Sequence, residues 1–222
     1  MRKAFKTVLA IGLVLTSIVL AADTAAVVIR ARGDVKLENR KADLKRGTKL
    51  ENGDKVVTGA KGAAALKFLD DASLVRIRPN STCVINTKKE QGSVTKDLFV
   101  EVGTIFSRVT RQKTSFKVST PTSVASVKGT KFWAKQEFKG ATWYFGEEGV
   151  IEISNDAGSA LVKEGETGYV SSRNAKPIVR KTKPGEKPTF GLDDEILDEF
   201  EFEFENEQGR TKILKFKVKK SE

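Results

Sequence analysis

The sequence predicts an all-β fold of sandwich or barrel type. Three observations carry this: apolar residues alternate with a period of two, glycine-led turns interrupt them at short intervals, and the main region has no helical signature. A period of two sets successive side chains on opposite faces of a sheet, so that one face of each strand is buried and the other wet. Ala64, Leu66 and Phe68 alternate with Ala65 and Lys67, and the run Leu74 to Arg78 mixes aliphatic and charged residues before stopping at Pro79. Phe116 and Val118 alternate with Lys117 and Ser119, and Trp143, Phe145, Ile151 and Ile153 continue the period. Many short strands divided by Gly turns fit a sandwich or barrel better than a βαβ layout.

The turns share a pattern, seen in Gly33-Asp34-Val35, Gly53-Asp54-Lys55-Val56, Gly103-Thr104-Ile105 and Gly149-Val150-Ile151. Glycine supplies positive φ, and the following Asp or Thr closes the turn with local hydrogen bonds. Neither the dinucleotide fingerprint nor the Walker A pattern is present, so these are turns and not phosphate loops.

Composition bounds the chemistry. The 222 residues, 39% hydrophobic and 31% charged, allow one sizeable packed domain with extras. There is no histidine, which removes the commonest general base and metal ligand and excludes a Ser-His-Asp triad. The single cysteine, Cys83, cannot form an internal disulfide and reads as an inert buried thiol in a strand. An oxygen site for Ca²⁺ or Mg²⁺ would find its best local cluster in Asp70, Asp71 and Ser73, although acidic residues are ordinary in a hairpin turn. The expectation is therefore no catalytic, metal or cofactor-binding site, and a protein that is not an enzyme.

The first residues read as an export signal. Arg2, Lys3 and Lys6 precede an apolar run from Thr7 to Ala21, which is shorter than a membrane span and ends in Val19-Leu20-Ala21. Cleavage is expected after Ala21, leaving a mature chain without a stable membrane span in the periplasm or cell envelope of a bacterium. Removing three basic residues and no acids lowers the net charge from +11 to +8. That charge is spread along the strands and not clustered, which argues against a nucleic-acid partner.

Beyond the domain, expected over residues 22–175, the stretch 176–190 is rich in Lys and Pro and reads as an extended linker. Residues 191–222 then predict a β-hairpin. Glu199 to Glu205 alternates Glu and Phe strictly, Asn206 to Gly209 is a turn signal, and Lys212, Lys215, Lys217 and Lys219 interleave with Leu214, Phe216 and Val218. Antiparallel pairing would gather Phe200, Phe202, Phe204, Leu214, Phe216 and Val218 on one face, the candidate partner-docking surface. A short helical turn is expected before it, over Leu192 to Leu197.

Several ordered motifs resemble the FecR family. They are Leu44-x-x-Gly47-x-x-Leu50-x-x-Gly53-Asp54-x-Val56-x-Thr58-Gly59, then Ala65-Leu66-x-Phe68-x-Asp70-x-x-Ser73-x-Val75-x-Ile77-x-Pro79-x-Ser81, then Leu98-x-Val100-x-x-Gly103-x-Ile105. The most specific is Phe116-x-Val118-x-Thr120-Pro121-Thr122-x-Val124-Ala125-x-Val127-Lys128-Gly129-Thr130-x-Phe132. The resemblance implies a jelly-roll-like antiparallel β-sandwich in the periplasm with a sensing or protein-contact role. The family's namesakes carry a cytoplasmic sigma-factor-binding segment, and this sequence is expected to lack one. Gly53, Asp54, Thr58, Gly59, Thr120, Pro121, Gly129 and Thr130 are read as structural motif residues. Pro121 ends a strand because it cannot donate to the ladder.

The leading functional expectation is an interaction, scaffolding or sensing module that meets an envelope protein. The alternative is a module for cell-wall or surface polysaccharide, suggested by the basic chain and by Trp133, Trp143 and Tyr144 as groove-lining aromatics.

Overall fold

The computed structural model describes residues 24–90, 93–110, 115–189, 199–205 and 211–217. The expected export signal, the Leu192–Leu197 turn, the Asn206–Gly209 turn and Val218 lie outside them.

Among the described residues there is no helix, and none that is long and apolar enough to cross a membrane. The first strands are β1 (Thr24–Arg32), β2 (Val35–Leu37), β3 (Ala42–Asp43), β4 (Lys49–Glu51), β5 (Asp54–Thr58), β6 (Ala63–Phe68), β7 (Leu74–Ile77), β8 (Ser81–Glu90) and β9 (Ser93–Arg108). Then come β10 (Phe116–Ser119), β11 (Val124–Val127), β12 (Lys131–Gln136), β13 (Thr142–Glu148), β14 (Val150–Asn155), β15 (Gly158–Lys163), β16 (Glu166–Val170) and β17 (Ile178–Lys181). A separate ribbon pairs β18 (Glu199–Glu205) with β19 (Thr211–Lys217).

The main strands form two ladders joined through β9. Ladder A has the order β4-β1-β6-β7-β9-β12-β13-β16-β17. Ladder B has the order β3-β2-β5-β8-β9-β10-β11-β14-β15. The ladders bury their apolar faces against each other: Val28, Leu66, Val75, Ile105, Phe132 and Tyr144 of ladder A lie in one cluster with Leu37, Val56, Ile85, Leu98, Val118 and Ile153 of ladder B. Phe68 meets Phe116 across the two layers, ring centroids 5.9 Å apart and nearly perpendicular, the favoured edge-to-face arrangement. Each such side chain contributes on the order of 1.5–3 kcal/mol when fully buried.

Two expectations are corrected at β9. Gly103-Thr104-Ile105 is not a turn. Gly103 sits inside β9 with φ +103, where a Cβ would lie 2.2 Å from Ser81 Oγ and 2.4 Å from Ser81 Cα. The strand bends there, so its first half pairs in ladder B and its second half in ladder A. The pairing is also not wholly antiparallel, because β9 and β10 run parallel. A parallel pair needs a crossover, and the second half of β9, passing through ladder A before the chain returns to ladder B, provides it.

The expected linker also begins differently. Residues 178–181 form β17, which pairs with β16 from Glu166↔Lys181 to Tyr169↔Ile178. The Pro residues flank this strand and do not interrupt it, so the Lys/Pro-rich composition did not exclude pairing at a sheet edge. In the ribbon, Phe200 faces Phe216 and Phe202 faces Leu214, while Phe204 stands opposite Lys212. Glu199↔Lys217 and Glu201↔Lys215 are the two acid–base pairs of the other face, and Glu203 and Glu205 meet Ile213 and Thr211.

Candidate functional site

The outer face of ladder A carries a second aromatic cluster. Alternation sends Ile105, Phe132 and Tyr144 into the shared core and Phe106, Trp133 and Phe145 to the opposite face. The register aligns this outer row across six strands: Arg76, Phe106, Trp133, Phe145, Thr167 and Arg180 are successive partners. Directly opposed residues share a face and interact. Phe106 and Trp133 are tilted at 53° with centroids 5.1 Å apart. Although they lie on the side away from the core, Phe106, Trp133 and Phe145 are only 2%, 0% and 2% exposed.

Polar contacts fix the margin of this row. Trp133 donates its indole N–H to Glu147 Oε1 at 2.8 Å, and Lys187 Nζ reaches the same oxygen at 2.9 Å. Trp143, partly buried against the cluster, stacks at 4.3 Å on Tyr169 and donates to Glu137 Oε1. Arg180 lies 5.9 Å above the Trp143 ring and grips Glu186 through both guanidinium Nη atoms. That grip, with the Lys183 N–H donated to the same carboxylate, holds Glu186 down at about 2 against its ordinary 4.5. Thr182 donates its backbone N–H to Gly165 at 3.0 Å, which completes the anchoring of residues 178–187 along the edge of ladder A. Ile178, on this edge strand, is 59% exposed.

The motif residues form local hydrogen-bond centres. Gly53, at φ +85 with open space around it, turns the chain into β5. Buried Asp54 accepts from Arg40 Nη2 at 2.7 Å, from Asn39 Nδ2 at 3.1 Å and from the Glu51 N–H at 2.8 Å. Thr58 accepts the Ser81 N–H and donates to the Arg78 carbonyl. A Cβ on Gly59 would press on Asp34 at 2.9 Å. Thr120 and Thr122, either side of Pro121, join Ser123, Gln136, Thr142 and Tyr144 in a buried hydroxyl network. Gly129, at φ +73, and Thr130 turn β11 into β12.

The Asp70–Asp71–Ser73 cluster holds an ammonium. Lys96, fully buried, places Nζ 2.6 Å from Asp70 Oδ2 and 2.5 Å from Asp71 Oδ2, and Asp71 also accepts the Ser73 N–H at 2.8 Å. Both carboxylates are thus engaged by a cation of the fold itself. Among the described residues no group of three or more Asp, Glu or Cys is placed to hold a metal ion. Cys83 is buried, and desolvation pushes its thiol up to about 12. Of the aromatics considered for a carbohydrate groove, Trp133 and Tyr144 are fully buried and Tyr144 belongs to the core, which leaves Trp143 as the one that is partly accessible.

Sequence reasoning missed the outer cluster and Lys96. The cluster had a signal: Ile105-Phe106, Phe132-Trp133 and Trp143-Tyr144-Phe145 break the period of two, as strands buried on both faces do. Lys96 had none, since a lysine in a strand reads as a wet-face residue.

A family profile described as FecR protein matches residues 54–167. No individual curated protein matches the chain. Among solved structures, a candidate anti-sigma factor from Parabacteroides distasonis, at 2.50 Å resolution, aligns with 17% identity and a TM-score of 0.50, covering 57% of this chain and 59% of that one. A second crystal structure with the same description, at 1.65 Å, gives 19% identity and a TM-score of 0.49 over the same shares. Likeness at this identity is likeness of fold.

Proposed function

The chain belongs to the FecR protein family, and from that premise we propose that it is a non-catalytic, exported interaction and sensing module of the cell envelope. It meets a protein partner at the β17 end of ladder A, where the edge strand, the departing chain and the outer aromatic row come together. The observation that carries this reading is the edge at β17, which among the described residues pairs only with β16 and whose Ile178 is 59% exposed. An edge strand presents unpaired backbone groups, and a large exposed apolar side chain on it adds surface that a partner can bury. The fold is shared with a candidate anti-sigma factor, which is consistent with a regulatory use.

Cross-linking in intact cells tests the reading. One dominant protein adduct is expected, and it should survive moderate salt. A spread of abundant envelope proteins in proportion to their amounts would overturn it.

A further inference from the structure

We propose that the C-terminal ribbon packs on the outer face of ladder A of its own chain, laying Phe200, Phe202, Leu214 and Phe216 over Phe106, Trp133 and Phe145 as a third layer. Three observations converge on this. The outer trio is 0–2% exposed, yet among the described residues the apolar side chain packed against it is the partly buried Trp143. Beyond what the stems of Arg76 and Arg180 in the same row can cover, a stacked layer is how a sheet face of this kind is buried.

The ribbon has the complementary need. Its register puts Phe200 opposite Phe216 and Phe202 opposite Leu214, so one face is apolar over these four positions with Lys212 at its turn end, and an isolated two-stranded ribbon is marginal in water. Finally, the chain leaves the domain at the right place. Lys187 shares Glu147 Oε1 with the Trp133 indole, so the route toward the ribbon starts beside the trio. Residues 190–198 span up to about 30 Å when extended, whereas the row from Phe145 to Phe106 crosses only two strand spacings, about 10 Å. This inference stands apart from the existence of a partner, because it concerns the purified chain alone.

The test uses the full chain with Trp143→Phe, which leaves Trp133 as the single tryptophan, compared with the same chain carrying Phe202→Ser and Phe216→Ser. Acrylamide quenching of Trp133 should rise several-fold in the Ser variant and its emission should shift to the red, at every protein concentration. Cys83, the one thiol and fully buried in the shared core, should stay unreactive to a thiol reagent in both, which shows that the sandwich is intact. Unchanged quenching with Cys83 protected would overturn the proposal. So would protection of Trp133 in the parent that disappears on dilution together with a halving of mass, since the ribbon would then cover a second copy.

Discussion

Trp133 and Lys187 are tied to one carboxylate oxygen: the indole N–H is 2.8 Å and the ammonium 2.9 Å from Glu147 Oε1. The contact joins an aromatic at the centre of ladder A to the chain as it leaves the domain. It therefore couples the packing of the outer row to the course of the C-terminal segment.

Replacing Glu147 by Ala removes both contacts and leaves the indole donor without its acceptor. The expected loss is about 1.5–3 kcal/mol of unfolding free energy, the range for a hydrogen bond to a charged group. Trypsin, which does not cut the Lys183–Pro184 and Lys187–Pro188 bonds, should also cut faster after Lys181 while the cutting rate elsewhere in the domain stays the same. Unchanged cleavage after Lys181 would show that Glu147 does not anchor the exit.

Buried Lys96 faces two carboxylates, of which Asp71 is almost completely buried. Lys96→Ala should cost about 3–5 kcal/mol in denaturant unfolding, because it leaves buried charge uncompensated. Lys96→Ala combined with Asp71→Ala should recover part of that loss, since the buried carboxylate goes too. A single variant within about 1 kcal/mol of the parent would contradict the buried ion-pair account.

Gly53 and Gly103 both have positive φ, but their surroundings differ. Gly53→Ala enters open space and should cost only the left-handed backbone penalty, about 1–2 kcal/mol. Gly103→Ala also drives a methyl into Ser81 and should cost about 3 kcal/mol or more. Equal losses in thermal or denaturant unfolding would mean that β9 does not bend against β8.

The Arg180–Glu186 pair sets an acid response. The carboxyl titrates at about 2 in the folded chain against an ordinary 4.5. Its contribution is therefore complete above about pH 5 and is lost as pH falls from about 4.5 toward 2. Hydrogen exchange of β17 amides should accelerate across that window in the parent. In Glu186→Gln the acceleration should be absent. A parent profile as flat as the variant's would remove Glu186 from the anchoring of β17.

The sequence displayed the strands more clearly than their arrangement. Alternation at Ala64–Phe68 and Phe116–Ser119 placed Leu66, Phe68, Phe116 and Val118 on the core side, as observed. Gly103 looked like the other turn glycines because a bend forced by a neighbouring strand and a turn both call for positive φ. The difference lies in Ser81, distant in sequence and close in space. Segment 176–190 looked like a linker because its Lys and Pro content hides four residues that complete an edge. Lys96 is the plainest limit, since its burial depends on two aspartates of another hairpin.

The most direct test of the protein-docking account is site-specific photo-cross-linking in cells. The photoreactive residue is placed either at Ile178, on the exposed edge strand beside the aromatic row, or at Lys36, an exposed position on β2 in ladder B. The account predicts a single discrete protein adduct from position 178 and none from position 36. Adducts of the same sizes and yields from both positions, or none from either, would contradict it.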